Sequence, residues 1–378
     1  MIESFTRSFL ELVKVGLWGE AGANLNVDLI EGINWEKAYL LAQEQSVQGL
    51  VLRGIEELKA KGVELSVPKV LLLQWIGEVQ VIEQRNKDMN AFVAELIEKL
   101  RKNGIYTLLV KGQGIAQCYE KPLWRSAGDV DLFMSDSNYE NAKTLLLPTA
   151  SHVDEEGISA KHLGMTIDGF VVELHGTLHG GLSSRVDGEL DDVKNDAFYR
   201  GNVRSWNNNG VQIFLLVAEN DAFYVFTHIL QHFYKEGVGL RQICDWCRLL
   251  WTYKDSLNYG LLEQRIKRAG LVSEWKAFYN LASRYLGMPD FGSGLTVHDS
   301  RFDKKADRIM EFILKSGNMG HNRDMSHFSK YPYLIRKCVS MGRRIGDLIN
   351  HARIFPLDSL RFFPRIMFNG VRSAIRGE

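Results

Sequence analysis

The sequence predicts an α+β fold in which a small mixed sheet lies between N-terminal and C-terminal helical domains. Apolar residues recur at helical spacing through the first hundred residues and again from about residue 212 onward. Between these regions, short apolar runs bounded by glycine or turn residues are typical of buried strands. We therefore expect a helical domain at 1–90, the sheet-containing core at 91–205 and a second helical domain at 206–378.

Composition narrows the class of protein. The 378-residue chain is 45% hydrophobic and 24% charged, as is usual for a globular protein. Because 46 Lys and Arg balance 46 Asp and Glu, the net charge gives no indication of a nucleic-acid or membrane partner. We find no signal peptide and no apolar run near the ~20 residues that a membrane helix needs. Four cysteines, including a Cys244-x-x-Cys247 pair interpreted as buried helix residues, are too few for a disulfide scaffold. A reduced, cytoplasmic protein is expected.

Helices open the chain. Phe5, Phe9 and Val13 form an apolar stripe at helical spacing, and similar stripes follow. A further helix is expected over about 82–102, because Asn103-Gly104 tolerates the left-handed conformation that commonly ends a helix.

Short strands follow these helices. The apolar run 105–110 lies between glycines and predicts a buried strand, and 129–134 predicts a second. A helix is expected over 139–147, capped by Asp136 or Ser137.

A hairpin is predicted downstream. Asp168-Gly169 separates two β-rich runs, which is a strong hairpin signal. In the second arm, Val171, Glu173 and His175 share one face of the strand.

The remainder is expected to be mainly helical. Residues 188–210 are polar and are interpreted as an irregular excursion that ends in a turn at 206–210. Helices are then predicted at 212–235, 239–253, 258–269, 272–286 and 302–316.

The C-terminal tail is basic. Residues 331–378 carry nine Lys or Arg against three Asp or Glu, a net charge of +6, interleaved with phenylalanines. We favour terminal helices whose aromatic residues pack on the body; the alternative is a docking surface for an acidic polymer or membrane headgroups.

The segment 111–131 carries residue types that bind metals and phosphates. Asp129 and Asp131 lie on a predicted strand and point the same way, and two such carboxylates repel unless a proton or cation compensates. All-oxygen ligands favour Mg²⁺, or Mn²⁺, which usually shares its shell with substrate phosphates. The preceding turn offers backbone N–H groups and an ammonium to those phosphates; it consists of Lys111, Gly112, Gln113 and Gly114. Together these features predict metal-assisted transfer of a nucleotidyl group.

The order of these motifs resembles the nucleotidyltransferase superfamily typified by DNA polymerase beta and kanamycin nucleotidyltransferase. More narrowly, it resembles uncharacterised bacterial nucleotidyltransferases with an L-K-G, R, D-x-D-L and E-L-H pattern. The matching residues are Val110-Lys111-Gly112, Tyr119, Pro122, Arg125, Gly128-Asp129-Val130-Asp131-Leu132, His162 and Val172-Glu173-Leu174-His175. A weaker match covers His228, His232, Leu240-Arg241 and Asp245.

The resemblance implies a site and a reaction. Asp129 and Asp131 would bind divalent ions, Mg²⁺ or Mn²⁺, and Glu173 would be the third metal-binding and catalytic carboxylate. A nucleoside triphosphate (NTP) would donate its monophosphate and release pyrophosphate. The nucleotide would be held by Lys111, Gly112, Gln113, Gly114, Arg125, Ser126 and His175. The chain lacks the superfamily's Gly-Ser turn, and the Lys111 charge can replace the missing hydroxyl contact.

Some residues allow two interpretations. Arg125 could contact a phosphate or form an ion pair with an aspartate. His175 could orient Glu173 or the ligand, or it could have a structural role. His228 and His232 share a helix face, which suits a cleft lining or, preferably, a buried hydrogen-bonded pair. Arg241 and Asp245, spaced i, i+4, are most simply an ion pair.

Two other functions agree with part of the pattern. A D-x-D glycosyltransferase is disfavoured because such enzymes place βαβ units before the motif, where this chain is predicted to be helical. A non-catalytic nucleotide-binding protein of the same fold is mildly disfavoured because all three carboxylates are present. The acceptor stays open between a protein hydroxyl, a small molecule, a sugar and RNA.

Overall fold

The structure is a computed structural model. It describes residues 4–19, 27–157, 161–235, 237–292, 294–318, 342 and 346–376. Helices precede the sheet, as predicted: α1 (Ser4–Trp18), α2 (Trp35–Glu44), α3 (Gln48–Ala60) and α4 (Lys69–Lys102). The sheet and its connecting helices follow: β1 (Thr107–Val110), α5 (Gly112–Ala116), β2 (Val130–Met134), α6 (Asp136–Leu146), β3 (His152–Val153), β4 (His162–Ile167), β5 (Phe170–His175), α7 (Ser184–Phe198), β6 (Val203–Asn208) and β7 (Val211–Leu216). The helices that complete the described chain are α8 (Ala218–Lys235), α9 (Leu240–Thr252), α10 (Tyr259–Ala269), α11 (Val272–Leu286), α12 (Asp303–Ser316) and α13 (Pro356–Arg376).

The strands form one mixed sheet, which confirms the predicted fold class. Within the described residues its strand order is β3-β4-β5-β2-β1-β7-β6. The β2–β5 and β1–β7 pairs are parallel and the other pairs are antiparallel. One face of the sheet packs against α4 and α6, and the opposite face lies under α7 and α8. The start of β2, at Val130 and Asp131, therefore lies beside Val172 and Glu173 of β5.

Helix α4 connects the two ends of the fold. It is 34 residues long, about 51 Å at 1.5 Å per residue. Its first half packs on the N-terminal helices through Trp75 and Val79, and its second half packs on the sheet through residues such as Phe92 and Leu96. The helix begins directly after Pro68, well before the predicted start near residue 82.

The predicted domain limits fall inside regular elements. The limit at 90 lies within α4 and the limit at 205 lies within β6, so the sheet extends to Leu216. The N-terminal and C-terminal helices also share one hydrophobic cluster, in which α1 packs on α11. The division into three domains stays a prediction.

The expected irregular excursion at 188–210 is wrong. Helix α7 occupies 184–198, because Ser183 caps it by accepting a hydrogen bond from Val186 N at 3.3 Å, and buried Leu190 and Val193 lie among its charges. Residues 203–216 form a hairpin whose turn is Asn209-Gly210, both with positive φ. Residues 212–216 are consequently strand, where a helix was expected.

The structure can also be compared with the predicted helix cap near residue 136 and the predicted burial of two cysteines. Helix α6 begins at Asp136, so Ser135 occupies the cap position expected of Asp136 or Ser137. Cys244 and Cys247 are buried on α9, as interpreted from the sequence. In the part of the chain that the structure describes, no helix has the length and apolar character needed to cross a membrane.

The described part of the basic tail packs on the body. Arg361 donates to Ala269 O at 2.8 Å and to Ser183 Oγ at 3.1 Å, and Arg365 pairs with Asp187 at 2.6 Å. Phe362 is fully buried. Residues 331–341 and 343–345, with their four basic side chains, lie outside the described residues. A docking role for the tail stays a prediction.

A buried acid on α11 gives a pH-dependent stability. Glu274 has no exposed surface, and burial, followed by the neighbouring carboxyl group of Asp358, holds its pKa well above the usual range. Because the pKa of Glu274 is higher in the folded state, its protonated form favours folding. This contribution to the free energy of unfolding is fully present below the unfolded-state pKa of about 4.3 and is lost as pH rises toward the folded-state pKa. Glu274→Gln should therefore raise the melting temperature at pH 8 but not at pH 4. The expected rise is roughly 2–4 °C for each 1 kcal/mol gained in the free energy of unfolding.

Differential scanning fluorimetry at the two pH values measures this difference. Exposed Glu95 on α4 provides the control, since Glu95→Gln should have the same small effect at both pH values. A Glu274→Gln protein that is destabilised at pH 8 would show that the charged carboxylate stabilises the fold.

Candidate active site

Adjacent strands bring three carboxylates together. In the β2–β5 register Asp131 pairs with Glu173, and Asp129 lies two residues before Asp131, on the same side of the strand. One carboxylate oxygen of each residue lies within 4.8 Å of those of the other two. Asp131 is only 1% exposed, whereas Asp129 and Glu173 are half-buried. The three residues form an all-oxygen group that could hold a divalent cation.

The electrostatics of this group favour a cation. The charge of Asp131, followed by burial, raises the pKa of Asp129 above its ordinary value. Burial would also raise the pKa of Glu173, but hydrogen bonds from His162 and His175 more than offset it and hold that pKa well below the usual range. The negative charge of Glu173 is thus stabilised by its hydrogen bonds with the two histidines, whereas the negative charge of Asp129 is disfavoured without a bound ion.

Lys111 lies beside the carboxylates on an unusual backbone. It follows β1 with φ 56° and ψ −143°, a region that non-glycine residues rarely occupy, and Gly112 follows with φ 37°. Its Nζ atom lies 2.7 Å from Asp131 Oδ1. Burial alone would lower the pKa of Lys111, but the nearby carboxylates, Asp131 foremost, hold it above the usual range. Strained backbone of this kind is typical of functional turns, and here it directs an ammonium group at the carboxylates.

Two histidines border the same group. Nε2 of His175 lies 2.8 Å from Asp131 Oδ1 and 3.4 Å from Glu173 Oε2. Nε2 of His162 lies 3.1 Å from Glu173 Oε2. Burial opposes the charged form of His175, but hydrogen bonds to Asp131 and Glu173 raise its pKa. Of the interpretations of His175, orientation of Glu173 agrees with these contacts.

Arg125 pairs with an aspartate. Its Nε and Nη2 atoms donate to the two carboxylate oxygens of Asp245, each at 2.7 Å, and the Tyr119 hydroxyl donates to Asp245 Oδ1 at 2.7 Å. This bidentate pair is buried, with both side chains 6% exposed. Of the two interpretations of Arg125, the structure therefore supports the ion pair.

The expected Arg241–Asp245 ion pair is wrong, because Arg125 occupies both oxygens of Asp245. Nη1 of Arg241 instead donates to Ser126 O at 2.7 Å, and the buried Nε atom has no hydrogen-bond partner among the described residues. Burial, followed by the charge of Arg125, lowers the pKa of Arg241. Arg241 thus brings a guanidinium group beside Asp129 and Asp131 at a narrow cleft of about 60 Å³.

Three predicted nucleotide-binding residues make structural contacts. Nε2 of Gln113 donates to Asn90 Oδ1 at 2.8 Å and to Asn86 Oδ1 at 3.1 Å, both on α4. A Cβ at Gly114 would lie 2.8 Å from a methyl group of Leu215 on β7. The Ser126 hydroxyl donates to Gln48 Oε1 at 3.2 Å. These contacts direct the three residues toward neighbouring elements, away from the cleft.

A larger cavity opens on the other side of the carboxylates. Its volume is about 460 Å³. It is lined on the sheet side by Lys111, Asp129, His162, Glu173 and His175, and on the α8 side by Tyr224, His228, Gln231, His232 and Lys235. Sequence analysis missed Tyr224 and Gln231, because helical periodicity identifies a buried face without showing which of its residues border a cavity.

The positions of His228 and His232 agree with both interpretations, a hydrogen-bonded pair and a cleft lining. Their Nε2 atoms lie 3.0 Å apart, and both residues line the cavity. Burial, followed by the charge of Lys111, lowers the pKa of His228 well below its usual value, so this imidazole is neutral near pH 7. Neutral histidine on α8 thus faces the charged groups on the sheet.

A mixed sheet with three convergent carboxylates beside a Lys-Gly turn agrees with the resemblance to the nucleotidyltransferase class. Residues 31–287, more than half of the chain, match the family model described as "Uncharacterised nucleotidyltransferase". The chain belongs to that family, which confirms the predicted resemblance. The match extends beyond the motifs at 110–175 and includes helices α2 to α4 and α8 to α11.

One solved structure is similar at a low level. The crystal structure of an antigenic nucleotidyltransferase-like protein from Paracoccidioides brasiliensis is 16% identical, with a TM-score of 0.33, and the match covers 56% of this chain and 96% of that one. This similarity is too low to support a fold or a function. A search of curated proteins gives no match.

Proposed function

We propose that this protein transfers a nucleoside monophosphate from an NTP to an acceptor in the presence of Mg²⁺ or Mn²⁺. The observation that carries the proposal is the convergence of Asp129, Asp131 and Glu173 within 4.8 Å at the edge of a 460 Å³ cavity. In the reaction, an acceptor oxygen attacks the α-phosphorus, the bond to the β-phosphate oxygen breaks and pyrophosphate leaves with the electron pair.

The residues divide this work. Asp129, Asp131 and Glu173 would hold the divalent ions, which stabilise the attacking and leaving oxygens of such an in-line displacement. The proton of the acceptor hydroxyl would pass by way of Glu173 to water, because hydrogen bonds from His162 and His175 keep the pKa of Glu173 low. Lys111, with Nζ 2.7 Å from Asp131, would lie against the phosphates, and Gly112 would let the backbone approach them.

An assay with labelled nucleotides tests the proposal. The full chain is incubated with each α-labelled NTP, Mg²⁺ and a cell extract, and the label is followed into a product together with pyrophosphate release. Transfer of label supports the proposal and identifies the acceptor. Calorimetric binding of Mg²⁺–NTP without transfer would favour the non-catalytic nucleotide-binding protein, and absence of binding would exclude both.

The glycosyltransferase alternative remains disfavoured. In the described residues that precede Asp129, β1 is the strand present, and it is antiparallel to β2. The βαβ units that such enzymes place before their D-x-D motif are therefore not found in that part of the chain.

We expect Arg241 to contact the phosphates in place of Arg125. Arg241→Ala should weaken Mg²⁺–NTP binding by roughly 1.5–3 kcal/mol, or roughly 10- to 150-fold, because a charge-assisted hydrogen bond is lost. Its effect on the melting temperature should be small, because the substitution removes a cation whose buried Nε has no partner among the described residues. Calorimetry and thermal unfolding measure the two effects.

Arg248 on the same helix is the matched control. It is buried, and its guanidinium donates to Cys118 O at 2.8 Å and Leu17 O at 3.0 Å. Arg248→Ala should reduce stability without a specific effect on nucleotide affinity. A stable Arg241→Ala protein with unchanged affinity would contradict the phosphate contact.

A further inference from the structure

A second group of possible metal ligands lies next to the three carboxylates. His162 on β4 and His175 on β5 are direct register partners, and Glu173 lies on the same face two residues before His175. Their imidazole rings lie 4.8 Å apart between centroids. One ligand atom from each of His162, Glu173 and His175 lies within 4.8 Å of the other two.

The distances suit a shared ion. Ligand atoms at 2.0–2.2 Å from a metal in tetrahedral or octahedral geometry are separated by roughly 3–3.5 Å. Glu173 Oε2 lies 3.1 Å from His162 Nε2 and 3.4 Å from His175 Nε2. Two nitrogens thus converge on one carboxylate oxygen, and hydrogen-bonded strands fix all three residues.

We propose that His162, Glu173 and His175 form a second cation site that binds a divalent transition ion such as Zn²⁺, Co²⁺ or Mn²⁺. Imidazole ligands favour such ions, whereas Mg²⁺ prefers the all-oxygen group. Two histidines and one carboxylate with open positions are typical of catalytic metal sites, and these three residues line the 460 Å³ cavity.

Glu173 belongs to both groups, so the two ions would share it as a bridging ligand. His175 stands between the groups, since its Nε2 also lies 2.8 Å from Asp131 Oδ1. The role of the second ion rests on the proposed function: it would bind the acceptor hydroxyl and lower its pKa before attack. The existence of the site does not depend on that role.

Metal titrations without nucleotide test the site. The chelator-treated full chain is titrated with Co²⁺, followed by visible absorption and bound-metal analysis, and with Mn²⁺, followed by pulsed electron paramagnetic resonance, which detects coupling to imidazole ¹⁴N. The wild type should show nitrogen ligation. His162→Ala should weaken Co²⁺ binding at this site at least tenfold and reduce the nitrogen coupling.

His162 is the best residue to change, because its side chain is 39% exposed and its loss leaves the Asp131–His175 contact in place. His298 is the matched control: it is 33% exposed and its Nε2 lies 2.9 Å from Asp303, away from the cavity. His298→Ala should bind Co²⁺ as the wild type does. Asp129→Asn should lose the all-oxygen site while keeping the nitrogen coupling, and His162→Gln repeats the test should the alanine variant fold poorly.

The outcomes separate this site from the proposed function. Nitrogen ligation that His162→Ala or His162→Gln removes supports the site, even if no nucleotide is transferred. A wild type without nitrogen ligation, or a folded His162 variant with unchanged Co²⁺ affinity and coupling, overturns the site, even if nucleotide transfer is present.

Discussion

Replacing Asp129 with asparagine should lower nucleotidyl transfer by roughly 10²–10³-fold, the scale seen when one electrostatic contact of a catalytic centre is removed. The melting temperature of the metal-free protein should stay the same or rise slightly. Asp131 and burial raise the pKa of Asp129 in the folded state, so at pH 7 its charge destabilises the protein and a neutral amide relieves that repulsion. The α-label assay and thermal unfolding in a chelator measure the two effects.

Two comparisons sharpen this result. Asp168→Asn in the β4–β5 turn changes an exposed aspartate of the same sheet, and it should alter neither quantity. Asp131→Asn should reduce both activity and stability, because Asp131 is the partner of half-buried Lys111 and buried His175. If Asp129→Asn transferred the label as fast as the wild type, Asp129 would not hold the catalytic ion.

Removing Arg125 should destabilise the fold more than any of the substitutions described above. Arg125→Ala leaves the Asp245 carboxylate buried without its bidentate partner, and breaking a buried pair in this way typically costs about 3–5 kcal/mol. Arg125→Lys should recover little of the loss, since an ammonium group cannot reproduce the planar two-bond contact. Urea unfolding, followed by tryptophan fluorescence, measures the free energy of unfolding.

The surface offers the same geometry without burial. Nε and Nη2 of Arg301 contact the two oxygens of Asp299 at 2.9 and 2.7 Å, but the Arg301 side chain is 79% exposed. Arg301→Ala should leave the free energy of unfolding unchanged, because water screens such a pair. A stable Arg125→Ala protein with weakened nucleotide binding would instead make Arg125 a phosphate ligand.

Local signals predicted the centre of the fold well. The D-x-D strand and the Asp168-Gly169 hairpin depend on residues adjacent in sequence, and the turn has the two positive φ angles that this dipeptide favours. The same signal exists at Asn209-Gly210. A turn was predicted there, within 206–210, but the hairpin was missed because β6 is polar and half-exposed, while the apolar residues of β7 run directly into those of α8 and resemble one long helix.

The partners of the site residues could not be predicted from spacing. Arg125 and Asp245 are 120 residues apart in the sequence. Because they pair, Arg241, four residues before Asp245, has no carboxylate among its described hydrogen-bond partners. Likewise, His228 borders the cavity only because α8 packs across the sheet. Pairing across a fold depends on tertiary packing, which the sequence pattern of either helix does not contain.

The core shared by the two ends of the chain has a consequence during protein synthesis. The indole of Trp18 on α1 donates to Leu286 O, 268 residues later, and α1 packs on α11. At about 5–20 residues per second, the ribosome needs roughly 13–54 s to add those residues. Over that interval α1 can pack on α3 but not yet on α11, so the packing of the N-terminal helices is completed only after α11 has been synthesised.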